Sequence, residues 1–131
     1  MLPVTSSTIR LFVHVLAATI WVGGQLTLAG LVPVLRAHGS DIPGVAARRF
    51  NRIAWPAFAV LVASGLWNIA AVEPSWNTAY GHTLTVKLAT VAVSGVTAFV
   101  HIRVESPRAR AIWGALTGLS ALVALFLATM L

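Results

Sequence analysis

The chain has 131 residues, of which 58% are hydrophobic and only 9% are charged, against roughly 25% charged residues in an average soluble domain. This composition excludes a water-soluble globule. Because the sequence has no cysteine, disulfides, thiolate metal sites, iron–sulfur clusters and cysteine nucleophiles are excluded as well. The net charge is +6, but the arginines concentrate between apolar runs, as in positive-inside membrane loops. The positive charge therefore does not predict a nucleic-acid partner.

Four apolar runs follow one another along the chain, and each is close to or above the roughly 20 residues that cross a bilayer as a helix. They cover about residues 9–35, 53–72, 84–104 and 111–131. Helices are predicted because an open sheet edge does not survive in hydrocarbon and the strands would be too few for a closed barrel. The first run is longer than the apolar core of a signal peptide, so it is interpreted as a retained span. The sequence predicts an all-α, four-helix transmembrane bundle in which residues 1–131 form a single domain.

The basic residues predict the orientation of the spans. Seven of the nine lie in the first and third connections: Arg36, Arg48, Arg49, Arg52, Arg103, Arg108 and Arg110. The second connection, residues 73–83, has none. Positively charged connections stay in the cytoplasm, so both termini are expected to be extracytoplasmic.

Two local features of the spans predict how the helices are built and packed. Pro56 is expected in the first turn of the second span, where its missing N–H costs little. Gly114 and Gly118 are four residues apart in the fourth span, a spacing that lets helix backbones approach closely.

Two ionisable side chains fall inside the predicted spans. A charged group at the centre of a bilayer costs about 2.5 kcal/mol or more, so each one is a functional hypothesis. His14 and Lys87 would lie roughly 6 Å and 4.5 Å below the outer boundary on spans that run in the same direction, and we expect them to meet. The alternatives are that His14 bonds across helices to fix packing and that Lys87 extends its ammonium to the outer headgroups.

Polar residues form a stripe on each of these two spans. The third span carries Lys87, Thr90, Ser94, Thr97 and His101, and the first carries His14, Trp21 and Gln25 at compatible helical spacing. Facing stripes would enclose a hydrated or ligand-filled interior. The alternative is that the hydroxyls only satisfy helix carbonyls or bond to a neighbouring helix. His101 would lie about 25 Å from the start of its helix, too far to share a ligand with His14.

The candidate metal ligands are histidines. His82, just outside the third span, would complete an outer cluster with His14, whereas His38 is most simply a solvated loop residue. Soft Cu(I) prefers thiolate and thioether ligands, but the only methionines are Met1 and Met130, so no methionine-lined pathway is predicted. Imidazole binds copper and is also a common axial ligand of haem, so a copper ion and haem b both stay open.

The sequence resembles the CopD-like copper-resistance membrane domain, a four-helix unit of bacterial inner membranes. The resemblance rests on His14 to Gly24 in the first span, Arg49-Phe50-Asn51-Arg52-Ile53-Ala54 leading to Ser64-Gly65-Leu66 in the second, and Tyr80-Gly81-His82 followed by Lys87-Leu88 in the third. It implies a protein that handles copper at the outer half of the membrane. His14 and His82 would be metal ligands, and Lys87 would shape the charge of the site.

The sequence is more distantly similar to the HemJ-type protoporphyrinogen oxidase family, whose members are associated with haem b. The spacing of His14 to Trp21 and the lysine early in the third span carry this similarity. It implies a haem b protein that transfers electrons or oxidises a porphyrinogen, with His14 as axial haem ligand and Lys87 as a catalytic or propionate-pairing group. Trp21 is a further candidate residue of the cofactor site. A third hypothesis is a structural subunit without a cofactor. The expected partners are the lipid bilayer and a metal ion or haem, while a homo-oligomer or a larger membrane complex stays open.

Overall fold

In the computed structural model, which describes residues 3–131, all regular secondary structure of that part of the chain is helical. The elements are α1 (Ser6–Ala18), a π-helical segment (Thr19–Gly23), α2 (Gly24–His38), α3 (Ile42–Val72), α4 (Ala79–Arg103) and α5 (Pro107–Ala128). The prediction of an all-α fold is confirmed.

Four continuous helical stretches are long and apolar enough to cross a membrane. They are Ser6–His38, Ile42–Val72, Ala79–Arg103 and Pro107–Ala128. Large apolar side chains lie on the outside of these helices, with Phe12 and Phe126 about 64% and 65% exposed, while most of the buried apolar residues are alanines. Small residues at helix contacts and large ones outside are typical of helices that pack in lipid. The protein is a multi-pass membrane protein, and the orientation of its termini stays a prediction.

The helices form two compact units. The first ends at Glu73 and the second is Pro74–Leu131. In the first unit α1 packs on α3, and in the second α4 packs on α5. Each unit is therefore a helical hairpin, and the prediction that the whole chain forms one domain stays a prediction.

Two helices begin several residues before the apolar runs that predicted them. Helix α4 begins at Ala79, where the Thr78 hydroxyl accepts a hydrogen bond from the Gly81 amide at 3.2 Å. Helix α5 begins at Pro107, after Ser106 accepts from the Ala109 amide at 3.4 Å. In both cases the capping side chain determines the first residue of the helix, and it lies several residues before the apolar run. One consequence is that His82 lies in the first turn of α4 rather than in the connection before it.

The first basic connection is much shorter than predicted. Only residues 39–41 separate α2 from α3, and Pro43 stands at the start of α3, where proline favours a helix. Three of the predicted loop arginines therefore lie on α3: Arg48, Arg49 and Arg52. With 31 residues this helix is about 46 Å long, well beyond the roughly 30 Å of hydrocarbon. Pro56 is consequently in the interior of α3, and its predicted place in the first turn was wrong.

Helix α3 ends at a strained residue. Glu73 adopts φ 48° and ψ 61°, the left-handed conformation, and it is the one non-glycine residue with positive φ in the part of the chain that the structure describes. Pro74 follows, and proline cannot continue a helix. This pair produces the sharp stop between the two units.

Candidate functional site

His14 is fixed between α1 and α3 by a hydrogen bond to Ser64. Its Nδ1 lies 2.9 Å from Ser64 Oγ, and Ser64 Oγ in turn donates to the Val60 carbonyl at 2.7 Å. A hydroxyl has one proton, so with that proton on the carbonyl, His14 Nδ1 must carry a hydrogen and donate it to Ser64. The lone pair of the neutral ring is then on Nε2. Metal-binding histidines are commonly oriented in this way, with the other ring N–H donated to a fixed acceptor.

Gly65 gives the His14 ring its place against α3. A Cβ atom at this position would lie 3.3 Å from His14 Cε1, closer than most real contacts of that kind. Since Ser64 supplies the hydrogen bond and Gly65 supplies the space, the two adjacent residues together determine where the imidazole sits. The sequence motif Ser64-Gly65 therefore has a physical role on the α3 side of the contact.

A second polar contact joins the same two helices one turn away. Arg10 Nε donates to Asn68 Oδ1 at 2.6 Å. Arg10 stands four residues before His14, and Asn68 four residues after Ser64, so the two pairs stack along antiparallel helices. Sequence reasoning missed both partners on α3. The signal that could have found them is this matched spacing of four on each helix.

Trp21 belongs to an aromatic cluster in the first unit. It is only 4% exposed, and its ring centroid lies 5.7 Å from that of Trp55 and 4.4 Å from that of Phe58. The π-helical segment that carries Trp21 lies about 10 Å along the axis from His14, and such segments are frequent at functional sites. Gln25 Nε2 is buried and has no hydrogen-bond partner within residues 3–131. A cofactor contact for Trp21 stays a prediction.

In the second unit, the middle of the polar stripe on α4 packs against α5. Thr117 Oγ1 donates to Thr97 Oγ1 at 3.0 Å, and Ser94 Oγ donates to the Thr117 carbonyl at 3.3 Å. Ser94, Thr97 and Thr117 are all buried. Ser94 and Thr97 of the stripe therefore take part in hydrogen bonds to a neighbouring helix, and a ligand-filled interior between the two stripes stays a prediction.

His101 joins the ends of α4 and α5. Its Nδ1 lies 2.7 Å from the carbonyl oxygen of Arg110, and because a carbonyl only accepts, the ring donates. A Cβ at Gly114 would lie 3.0 Å from His101 Cε1, whereas one at Gly118 would meet nothing within 4 Å. The missing Cβ at Gly114 thus leaves space for the His101 ring, and a close approach of helix backbones at this residue stays a prediction. The same expectation for Gly118 was wrong, since no neighbouring helix approaches it in the described part of the chain.

Lys87 and His82 both lie in the first half of α4, on different faces. Lys87 is half-buried, and within residues 3–131 its ammonium forms no hydrogen bond or ion pair. His82 is exposed, and five residues of helix place the two about 140° apart around the axis. His14 belongs to the first unit and these two residues to the second. The meeting of His14 with either of them stays a prediction.

The protein-family model described as copper resistance protein D matches residues 44–131, about two thirds of the chain. The chain belongs to the CopD family. No curated protein and no solved structure matches it. The match confirms the predicted resemblance and identifies a copper-resistance membrane protein. It includes Ser64, His82 and Lys87, whereas His14 precedes it. The more distant similarity to the HemJ-type family stays a prediction.

The donor set of this CopD-family protein consists of separate imidazoles. Across residues 3–131 no group of three or more His, Cys, Asp or Glu side chains lies close enough to hold a metal ion. Met130 is 59% exposed near the end of α5, and Met1 lies outside the described residues. His38 is exposed and its Nδ1 donates to the Val34 carbonyl at 2.9 Å.

Proposed function

We propose that this CopD-family protein handles copper as a cargo at the outer half of a bacterial inner membrane, with His14 as a nitrogen ligand. The observation that carries the proposal is the position of His14 inside a membrane span with its Nδ1 hydrogen directed at Ser64. This bond orients the ring and leaves the lone pair on Nε2, the atom that would bind the ion. Ser64, which orients the ring, lies within the segment that matches the family.

The chemistry of the available donors supports copper bound through nitrogen. The chain has no thiolate, and imidazole is a good ligand for copper ions. A site with few ligands releases its ion readily, which suits transfer across or along a membrane. His82 is proposed as a second nitrogen ligand. Lys87 is proposed to adjust the local charge, because an ammonium repels a metal cation and shortens its stay.

The distribution of charge supports the outer location. His14 is eight residues after Ser6, the first residue of its helix, and 24 residues before His38 at the other end. That other end leads into the arginines of α2 and α3, which the positive-inside rule assigns to the cytoplasm. His14 then lies in the half of its span that is farther from the cytoplasm.

The test is a copper titration of the purified full-length protein in competition with a chromophoric chelator. His14→Ala is expected to weaken copper binding by at least about tenfold, because removal of a metal ligand costs more than the loss of its orienting partner. His38→Ala is the matched control, since it removes an imidazole that also donates from Nδ1 but lies at an exposed helix end. Equal effects of the two substitutions would contradict the proposal.

Two further measurements separate the parts of the proposal. His82→Ala is expected to weaken copper binding as well, and an unchanged affinity would remove His82 from the ligand set. An absorption spectrum of the purified protein tests the haem alternative. A Soret band that shifts on reduction with dithionite and disappears in His14→Ala would replace copper by haem b as the ligand of His14.

A further inference from the structure

An apolar groove of about 310 Å³ runs along the first unit between α1 and α3. Its lining includes Val13, Leu16 and Ile20 on one side and Ile53, Pro56 and Val60 on the other. Leu16, Ile53 and Val60 are 49%, 50% and 44% exposed, so the groove is open along its length. A closed apolar cavity of about 150 Å³ holds a benzene molecule. This groove has room for a longer stretch of hydrocarbon.

Two arginines stand at one end of the groove. Arg49 is four residues before Ile53, seven before Pro56 and eleven before Val60, so it continues the lining stripe of α3 by one helical turn. Arg52 is four residues before Pro56 and flanks the same end. Both side chains are exposed, and no carboxylate pairs with either one in the described part of the chain.

The arginines near the connection of α4 and α5 are engaged differently. The Arg103 guanidinium lies 4.8 Å from the centre of the Phe99 ring, and Arg110 Nη2 donates to the Val104 carbonyl at 3.1 Å. These groups already have partners within their own unit. Arg49 and Arg52 have their guanidinium donors available for an anion.

We propose that the first unit binds one anionic phospholipid, with an acyl chain in the groove and the phosphate at Arg49 and Arg52. The planar donors of arginine match the geometry of a phosphate group. The eleven residues from Arg49 to Val60 extend about 16 Å along α3, close to half of the roughly 30 Å hydrocarbon thickness. The groove and the arginine turn together therefore have about the length of one leaflet, which places the two guanidinium groups at the level of the headgroups.

The combination of groove and charge selects this occupant. An inorganic phosphate ion would use the arginines without the groove, and a neutral lipid would use the groove without the arginines. Only a molecule with both an apolar chain and a negative headgroup matches the two features together. The site is independent of the proposed role of His14 in copper binding.

The test is native mass spectrometry of the full chain in detergent, titrated with phosphatidylglycerol and with phosphatidylcholine of identical acyl chains. The unmodified protein is expected to bind phosphatidylglycerol more tightly. The double substitution R49Q/R52Q is expected to weaken that binding about fivefold for each arginine and to leave phosphatidylcholine unchanged. The control R103Q/R110Q removes the same charge from the second unit, at the two arginines that already have partners there, and should keep the preference. An equal loss in both doubles, or equal binding of the two lipids before substitution, would overturn the proposal.

A second pair of variants tests the groove. Val60→Phe places a larger side chain in the groove and is expected to weaken binding of both lipids several-fold. Val62→Phe makes the same change at a residue that is 39% exposed on α3 and does not line the groove; it should bind both lipids as the unmodified protein does. Circular dichroism checks that both variants keep their helices. If folded Val60→Phe binds phosphatidylglycerol as strongly as folded Val62→Phe, no acyl chain occupies the groove.

Discussion

Replacement of Ser64 by alanine tests the orientation of the His14 ring separately, because the ring itself is kept. Ser64 Oγ accepts the hydrogen of His14 Nδ1 at 2.9 Å while giving its own proton to the Val60 carbonyl. The alanine variant keeps the imidazole and its Nε2 atom. It removes the acceptor that holds the ring in one rotamer and one tautomer, so the ion would meet a mixture of ring states.

The expected loss of copper-binding free energy is larger than the expected loss of folding stability. Removal of an outer partner of a metal-binding histidine typically costs about 10–100-fold in metal affinity, which is about 1.4–2.8 kcal/mol. A hydrogen bond between membrane helices contributes only about 0.6 kcal/mol on average. If His14 binds copper, Ser64→Ala should therefore weaken metal binding much more than it weakens the fold.

Ser120→Ala is the matched control for this experiment. The Ser120 hydroxyl donates within its own helix to the Leu116 carbonyl at 2.7 Å and the Thr117 carbonyl at 3.0 Å. Ser64 makes nearly the same two contacts, at 2.7 Å to Val60 and 3.2 Å to Leu61. Only Ser64 also contacts an imidazole. The assay is the chelator competition described above, with thermal unfolding measured in parallel, and equal copper affinities of the two variants would refute the assigned role of Ser64.

Two further predictions concern stability and are measured by thermal unfolding in detergent, followed by circular dichroism. Gly81→Ala should destabilise by at least about 1–3 kcal/mol, because its Cβ would lie 2.5 Å from backbone atoms of residues 75 and 76; Gly118→Ala, with open space around it, should stabilise by about 0.5–1 kcal/mol. Equal shifts would show that the α4 N-terminus is not closely packed. Glu73→Gly should stabilise by about 0.5–1 kcal/mol by relieving the positive φ, whereas Glu105→Gly, at a residue without positive φ, should give no gain. A gain in Glu105→Gly as large as in Glu73→Gly would contradict this explanation.

The existence of the four spanning helices could be predicted from hydropathy, but their ends could not. An apolar run reports the residues that face lipid, whereas a helix begins where its first amides are capped. Thr78 and Ser106 begin α4 and α5 before their apolar runs do. The basic segment of α3 was interpreted as a loop because of its charge. Arginine is nevertheless a good helix former, and the backbone of this segment is helical. Charge located the segment and gave no information on its backbone.

His14 could be selected from the sequence as a candidate, whereas its hydrogen-bond partner on α3 could not. His14 stands out in the sequence because an imidazole is unusual in an apolar run. Ser64 and Asn68 do not stand out, since a serine or an asparagine in a span is consistent with many local hydrogen bonds. Periodicity gives the residues that share a face on one helix and does not say which faces meet. The pairing of α1 with α3 required the structure.

The tautomer alone does not distinguish His14 from the other histidines that have a hydrogen-bond partner. His38 and His101 also donate from Nδ1, each to a backbone carbonyl, so all three rings place the lone pair on Nε2. The difference is position. His38 and His101 lie in the last turns of their helices, at the ends of the candidate membrane spans. His14 lies well inside its span, where a polar group is costly and is therefore a hypothesis for function. The comparison of His14→Ala with His38→Ala therefore measures the effect of location on copper binding, because each substitution removes an imidazole that donates from Nδ1.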